Sequence, residues 1–263
     1  MTTTVLPDLA HAGDLVAARG TLLGRPMHLL ATTDSTNDLA KRGAREGAAH
    51  GATWVAEEQT QGRGRQGRSW VGVRGESLLF SVLARVTCPP SRLPLIALAS
   101  GLAVRDAIAR AAPGAPVLIK WPNDVLVGCR KVAGVLVEAA TTGSRVSAVV
   151  VGVGINVHTR HFPDAIAPHA TSIALFATSP PERGEILADV LATLDADMHL
   201  VVARGLGLLR ARLEAADALR GKRVRSDSGG EGIAAGIDDE GRLVVRCKNG
   251  AVMRWTSNEI HMV

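Results

Sequence analysis

Residues 59–70 read Gln59-Thr60-Gln61-Gly62-Arg63-Gly64-Arg65-Gln66-Gly67-Arg68-Ser69-Trp70. Glycines are interleaved with Arg63, Arg65 and Arg68, and a tryptophan closes the run. Glycine opens backbone conformations that other residues avoid and lets the chain approach a ligand closely. Arginine presents a planar fork of donors suited to phosphate and carboxylate. Together they describe a cationic loop, mobile when empty, able to close over a phosphorylated ligand. A solvated Arg-Gly segment that touches nucleic acid loosely has the same composition, so the flanking sequence has to decide.

Working outward, residues 53–57 form a short β run that feeds this loop, and residues 77–86 form a second. Further upstream, Ser35-Thr36-Asn37-Asp38 precedes Leu39-Ala40-Lys41-Arg42, a helix start with an acid in the first turn. Residues 1–26 are a mixed lead-in with one short helix. Downstream, residues 95–112 carry apolar side chains at helical spacing and stop before Pro113-Gly114. Runs 117–121, 131–139 and 146–157 are β-rich and separated by turn formers. Residues 182–219 read as one or two amphipathic helices. From about residue 219 the chain turns into short β segments, with Asp239-Glu240-Gly241 and Asn249-Gly250 as turns, and Asn-Gly between β runs marks a hairpin. That spacing fits a small β-barrel. The organisation expected is a main domain over residues 1–218 and a β domain over residues 219–263.

The 263 residues suit this division, and 46% hydrophobic content supports a sizeable core. Only 3% are aromatic and tyrosine is absent, so core bulk comes from Leu, Val, Ile and Ala. The net charge of +5 is compatible with anionic ligands without requiring nucleic acid. A nucleic-acid binder built on the arginine loop predicts more basic charge and aromatics interleaved with the arginines. Cys88, Cys129 and Cys247 are widely spaced and fit free thiols in a reducing cytoplasm. The histidines show no metal-ligand spacing. The N-terminus has no secretory pattern, and no stretch is long and apolar enough to span a bilayer.

Chemistry gathers at three further places. Lys120-Trp121-Pro122-Asn123-Asp124 follows a strand, and proline ends it, projecting Asn123 and Asp124 from its end. Lys131 lies seven residues beyond Asp124, and a turn at Gly128 brings the two to one site. Such a pair can hold a carboxylate or phosphate beside a magnesium ion, or be an ordinary hairpin salt bridge. Residues 149–157, VVVGVGINV, are a buried β run in which Gly152 and Gly154 permit close approach. No third glycine opens a helix, so this is not a dinucleotide fingerprint. Asn156 at its end needs a hydrogen-bond partner, for which an adenine edge and a turn backbone both serve.

In chain order the motifs are Ser-Thr-Asn, Gln-x-x-Gly-Arg-Gly-Arg-x-Gly-Arg-x-Trp, Lys-Trp-Pro-Asn-Asp, Lys-x-Ala-Gly-x-Leu-x-Glu and Gly-x-Gly-Ile-Asn-Val. The series resembles the biotin protein ligases (biotin–[acetyl-CoA-carboxylase] ligase family) over roughly residues 30–160. The resemblance implies an α+β fold: a central mixed β-sheet flanked by helices, of the class II synthetase-like catalytic type, with a small C-terminal SH3-like β-barrel. It implies ATP-dependent formation of biotinyl-5′-AMP, then transfer of biotin to one lysine of a biotin carboxyl carrier protein or domain. ATP, Mg2+ and biotin are the implied small molecules, with a monomer or homodimer in the cytoplasm as the acting form.

Matched by motif position, Ser35, Thr36 and Gln59 fall where the family meets the ureido ring of biotin, with Asn37 and Gly134 in the same biotin site. Arg63, Gly64 and Arg65 match the loop over biotin's carboxylate and the adenylate phosphate, and Arg68 is grouped with the nucleotide. Lys131 matches the lysine at the reacting carboxylate and phosphate. Asn123 and Asn156 match adenine-side asparagines, and Trp70 matches an indole that stacks on adenine. Asp124 matches the acid near the reaction centre, with magnesium or the incoming lysine as its partner. Gln61 departs from the commoner small residue before Gly62. Ser-Thr-Asn begins at residue 35, which leaves about half the length of the helix-turn-helix domain that some members carry, so no repressor activity or specific DNA binding is expected. The lipoate–protein ligases share the fold and adenylate chemistry and are the nearest alternative.

Overall fold

The computed structural model describes residues 6–256 and 259–263. The first five residues of the expected lead-in, and residues 257–258 of the expected β domain, lie outside the described residues. The lead-in holds two short helices, α1 (Pro7–Ala10) and α2 (Ala12–Ala18), rather than one, and a strand, β1 (Met27–Leu30), follows it. Helix α3 (Thr36–Arg45) starts at Ser35, whose Oγ accepts from the Asp38 N–H. Strands β2 (Thr53–Ala56) and β3 (Ser77–Ala84) flank the arginine loop. Helix α4 (Leu93–Ala111) ends just before Pro113-Gly114. It is followed by β4 (Val117–Lys120), β5 (Asp124–Val127), β6 (Arg130–Thr142) and β7 (Arg145–Asn156), then by α5 (Arg183–Arg204) and α6 (Arg210–Ala216).

The first seven strands make one mixed sheet in the order β1-β2-β3-β7-β6-β5-β4. Only β1 and β2 are parallel, joined through α3; every other neighbour is antiparallel. Side chains alternate across a strand, and β7 shows what each face does. Val149, Val151, Val153 and Ile155 enter the main core with α4 and α5. Ala148 and Val150 join the smaller apolar cluster under α3. Continuing that second face, the register sets Ser81, Gly152 and Leu136 in one cross-strand row and Leu79, Gly154, Gly134 and Asp124 in the next. A face that is apolar under α3 thus opens into one paved with glycine.

The remaining strands, β8 (Arg223–Ser226), β9 (Glu231–Ile237), β10 (Leu243–Arg246), β11 (Val252–Trp255) and β12 (Ile260–Met262), form a separate antiparallel sheet in the order β11-β10-β9-β8-β12. Its Val224, Ala234, Leu243, Val245, Trp255 and Ile260 join the main core, and polar contacts add to this. Trp121, buried, donates its indole N–H to the Gly241 carbonyl at 2.9 Å. Glu259 pairs with Arg68 at 2.6 Å and Lys120 at 3.8 Å.

Candidate functional site

The glycine-paved face is the floor of a cavity of about 550 Å³, within the size range of small-molecule sites. Its walls are the start of α3, the 62–70 loop, the β5–β6 hairpin and the end of β12. Ser35, Thr36, Asn37 and Gln59 line one end. The Thr36 N–H and hydroxyl reach Gln59 Oε1 at 2.7 and 3.0 Å. Thr36 also meets the Ser81 hydroxyl at 2.8 Å, and Ser81 donates to Asn37 Oδ1 at 2.5 Å. A Cβ on Gly152 would stand 1.8 Å from that Asn37 oxygen, so only glycine there lets the amide rest on the strand.

Trp70 lies over the next row. A Cβ on Gly154 would come 2.4 Å from its Cε2, and one on Gly134 would come 3.1 Å from its Cζ3. The Trp70 indole N–H is buried without a partner. The loop that carries it closes on itself: Trp70 N–H donates to the Gly62 carbonyl at 2.9 Å and Gly64 N–H to the Arg68 carbonyl at 2.7 Å. Gln66 takes the left-handed conformation at the tip, with φ 55°.

Lys131 and Asp124 meet across the β5–β6 hairpin, Nζ to Oδ1 at 2.6 Å, and Gly128 makes the turn with φ 62°. A bulge makes this possible. Val125 pairs with Ala133 but Leu126 pairs with Lys131, leaving Val132 as the extra residue. Val132 and Ala133 both enter the core, and Lys131 is re-aimed onto the same face as Gly134. The Lys131 ammonium also sits 5.4 Å from the centre of the Trp70 ring, an attractive cation–π geometry.

The arginines differ in partners. Arg63 reaches Asp38 at 2.5 Å and Glu138 at 3.5 Å. Arg65 donates to Asn123 Oδ1 at 3.1 Å while Asn123 Nδ2 donates to the Val135 carbonyl at 2.8 Å. Burial holds the Arg65 guanidinium below the usual arginine range, against the pull of Asp124 and Glu259. Burial pushes the Asp38 carboxyl up, but Lys41 and Arg63 outweigh it and the group ends below its ordinary value. Asn156 finds the turn-backbone partner: its Nδ2 donates to the Thr171 carbonyl at 3.0 Å.

Residues 29–156 match the Biotin/lipoate A/B protein ligase family, and residues 221–263 match the Biotin protein ligase C terminal domain. A biotin–[acetyl-CoA-carboxylase] ligase of Mycobacterium tuberculosis is 36% identical over 247 residues, covering 90% of this chain and 90% of that protein. The chain belongs to the biotin protein ligase family. A second relative of the same description, from Paracoccus denitrificans, is 35% identical over 83% of this chain and 93% of its own length. The structure of the Aquifex aeolicus biotin protein ligase in complex with biotin and ATP superposes with a TM-score of 0.77 at 27% identity, over 90% of this chain and 99% of that one.

This ligase therefore has the expected architecture, a mixed sheet flanked by helices with a small β domain beside it. Every residue that the motif positions assign to the site lines the one cavity, from Ser35 to Asn156. Sequence reading does not single out Ser81 or Glu138, which stand behind the Thr36–Asn37 corner, nor Glu259, His261 and Met262, which line the cavity from the C-terminal sheet. Their contacts are made across 44 to 191 residues of chain. The Glu at the end of Lys-x-Ala-Gly-x-Leu-x-Glu was the available signal for Glu138. Among the described residues no group of three or more His, Cys, Asp or Glu could hold a metal, and no helix is long and apolar enough to cross a membrane.

Proposed function

We propose that this ligase joins biotin to ATP, releasing pyrophosphate, and then passes biotin from biotinyl-5′-AMP to a lysine of a biotin carboxyl carrier protein or domain. The convergence of the Ser-Thr-Asn, Arg-Gly, Lys-Trp-Pro-Asn-Asp and Gly-x-Gly-Ile-Asn-Val motifs on one cavity carries this reading. Biotin's ureido ring lies at Ser35, Thr36, Asn37 and Gln59, its bicycle runs over Gly134, and its carboxylate points to Lys131. The nucleotide lies with its phosphates toward Arg63, Gly64, Arg65 and Arg68 and its adenine by Trp70, Asn123 and Asn156.

A biotin carboxylate oxygen attacks the α-phosphorus, and the bond to the pyrophosphate oxygen breaks. Attack brings two anions together, and Lys131, Arg63 and Arg65 offset the charge that builds between them. Closure of the arginine loop excludes water, which protects a mixed anhydride. In the second step the acceptor amine attacks the acyl carbon, AMP leaves, and Asp124 takes the amine's proton. Asp124 is the carboxylate at the reacting end, and one carboxylate beside phosphate and water oxygens suits Mg2+, which retains its waters and seeks oxygen ligands. In this reading residues 1–218 form the catalytic domain and residues 219–263 the SH3-like domain that closes it. The acting form is a cytoplasmic monomer or homodimer.

ATP–pyrophosphate exchange tests this reading, with biotin and lipoate supplied separately. Exchange that requires biotin and is lost in Lys131→Ala supports it. Exchange with lipoate alone moves the enzyme to the sister activity, and exchange with neither removes the adenylation reading.

A further inference from the structure

Behind the Thr36–Gln59 corner runs a line of hydrogen bonds that ends on a charged group. Glu138, on β6, stands at the far end, with Lys41 Nζ 3.0 Å and Arg63 Nη2 3.5 Å from its Oε1. Asn37 Nδ2 donates to Glu138 Oε2 at 2.9 Å. Ser81 follows at 2.5 Å from Asn37 Oδ1, and Thr36 at 2.8 Å from Ser81. Ser81, Asn37 and Thr36 are all buried, and Ser81 lies behind the cavity wall that Thr36 and Asn37 line.

Chemistry gives the line a single direction. A carboxylate accepts hydrogen bonds and donates none, so Asn37 must turn its NH2 toward Glu138 and its carbonyl toward Ser81. That carbonyl also only accepts, so Ser81 spends its one proton on it. Thr36 must then be the donor to Ser81, a proton it shares with Gln59 Oε1 at 3.0 Å. The Thr36 hydroxyl is left with lone pairs for the cavity. Gln59 Oε1 is filled by the Thr36 N–H at 2.7 Å, which leaves the Gln59 NH2 as its free group. The corner therefore presents an acceptor beside a donor, and a cyclic urea offers an N–H beside a C=O.

We infer that Glu138 is a positioning residue for the ureido end of biotin: it touches no ligand but polarises the Asn37–Ser81–Thr36 line so that the corner fits a urea. This rests on the biotin reading of the site. Glu138→Gln removes the compulsion, because an amide both donates and accepts, and the Asn37 amide is then free to turn over and reverse every bond in the line. Gly152 leaves room for the Asn37 amide, because a Cβ there would stand 1.8 Å from its Oδ1.

The experiment is biotin-dependent ATP–pyrophosphate exchange on the full chain for wild type, Glu138→Gln, Ser81→Ala and the double variant, with KM for biotin, KM for ATP and kcat measured separately. In each single variant KM for biotin is expected to rise by about five- to thirtyfold, the worth of one or two hydrogen bonds, and in Ser81→Ala, which leaves the Arg63–Glu138 pair intact, KM for ATP is expected within about twofold of wild type. The double variant is expected to match the worse single variant, because both cut one line. Loss of kcat or of ATP affinity alongside biotin in Ser81→Ala, or multiplicative effects on KM for biotin in the double variant, would reduce Glu138 to a structural acid and overturn the inference. So would a folded Glu138→Gln with the wild-type KM for biotin. If Glu138→Gln does not fold, Ser81→Ala alone decides by the same criterion. A wild type that shows no biotin-dependent exchange fails the biotin reading itself, an outcome distinct from all of these.

Discussion

The indole of Trp70 rests directly on the backbone of Gly154, so near that a methyl group there would stand 2.4 Å from Cε2. The same ring lies under the Lys131 ammonium. Gly154→Ala must therefore push the tryptophan off the cavity floor and disturb the lysine with it. We predict a fall in kcat/KM for exchange of about 100-fold, the scale of an ångström-size misplacement at a reacting centre. Steady-state exchange kinetics, with tryptophan fluorescence to follow the ring, read this directly. Wild-type rates would mean that the indole steps aside at no cost.

Lys131 and Asp124 are held as an ion pair, yet the two steps use them differently. Lys131→Ala is predicted to slow adenylate formation by about 10²- to 10³-fold, as expected for removing one preorganised donor. Asp124→Asn is predicted to slow transfer from preformed biotinyl-5′-AMP to an acceptor domain more than it slows exchange. Single-turnover transfer measures this, and an unimpaired Asp124→Asn would rule out the proton-accepting role.

Arg183 is fully buried between Glu57, also fully buried, and Asp8, at 2.7 and 2.6 Å. Arg183→Met leaves the Glu57 carboxylate buried and unpaired, and is predicted to cost about 3–5 kcal/mol of stability. Urea unfolding provides the measurement. Adding Glu57→Gln to Arg183→Met should recover part of the loss, and no recovery would argue against the unpaired charge as its cause.

Acid should loosen the fastening of the C-terminal sheet. Burial pushes the Glu259 carboxyl up, but Arg68 and Lys120 outweigh it and hold the group below its ordinary 4.5. A lowered carboxyl contributes stability that is complete above the unfolded value and is lost as pH falls through the folded one. Asp8, lowered by Arg183 against its burial, behaves in the same direction. The Tm of wild type is thus predicted to fall as pH drops below about 4.5, with a shallower fall in Glu259→Gln. Identical slopes would remove Glu259 from the account.

The 62–70 loop is held by a few backbone bonds and by exposed ion pairs, and contacts of that kind are worth little each. Trypsin is predicted to cut at Arg63, Arg65 or Arg68 in the free enzyme and to spare them when biotin and ATP are present. Equal cleavage with and without ligand would show that the loop does not close on it.

Much of the arrangement was legible because the local signals were strong. The Ser35 cap, the Pro113-Gly114 stop, the Asn249-Gly250 hairpin and the buried β run over residues 149–157 each act within a few residues. Two short strands escaped notice. β1 begins just after the mixed lead-in, and β12 is three residues long. Segments so short are stabilised by the neighbour that pairs with them rather than by their own composition. Asn156 illustrates a different limit. Its need for a partner was plain, but two partners were open, and only the fold brought Thr171 to it.

The sequence by itself determined the chemical kit of this ligase: the glycines, the three arginines, Trp70, Lys131 and Asp124, and the order in which they come. Those residue types in that order are what the family's chemistry requires, and the kit needs no coordinates to be recognised. The tertiary structure alone decided where the kit points. Strict alternation from Gly134 would turn Lys131 away from the cavity, and the extra residue at Val132 brings it back. Pairing between distant strands set Ser81 and Glu138 behind Thr36, and docking of the C-terminal sheet brought Glu259 to Arg68. Register, bulge and docking arise from cross-strand and core packing summed over the whole sheet, and no local stretch of chain contains them.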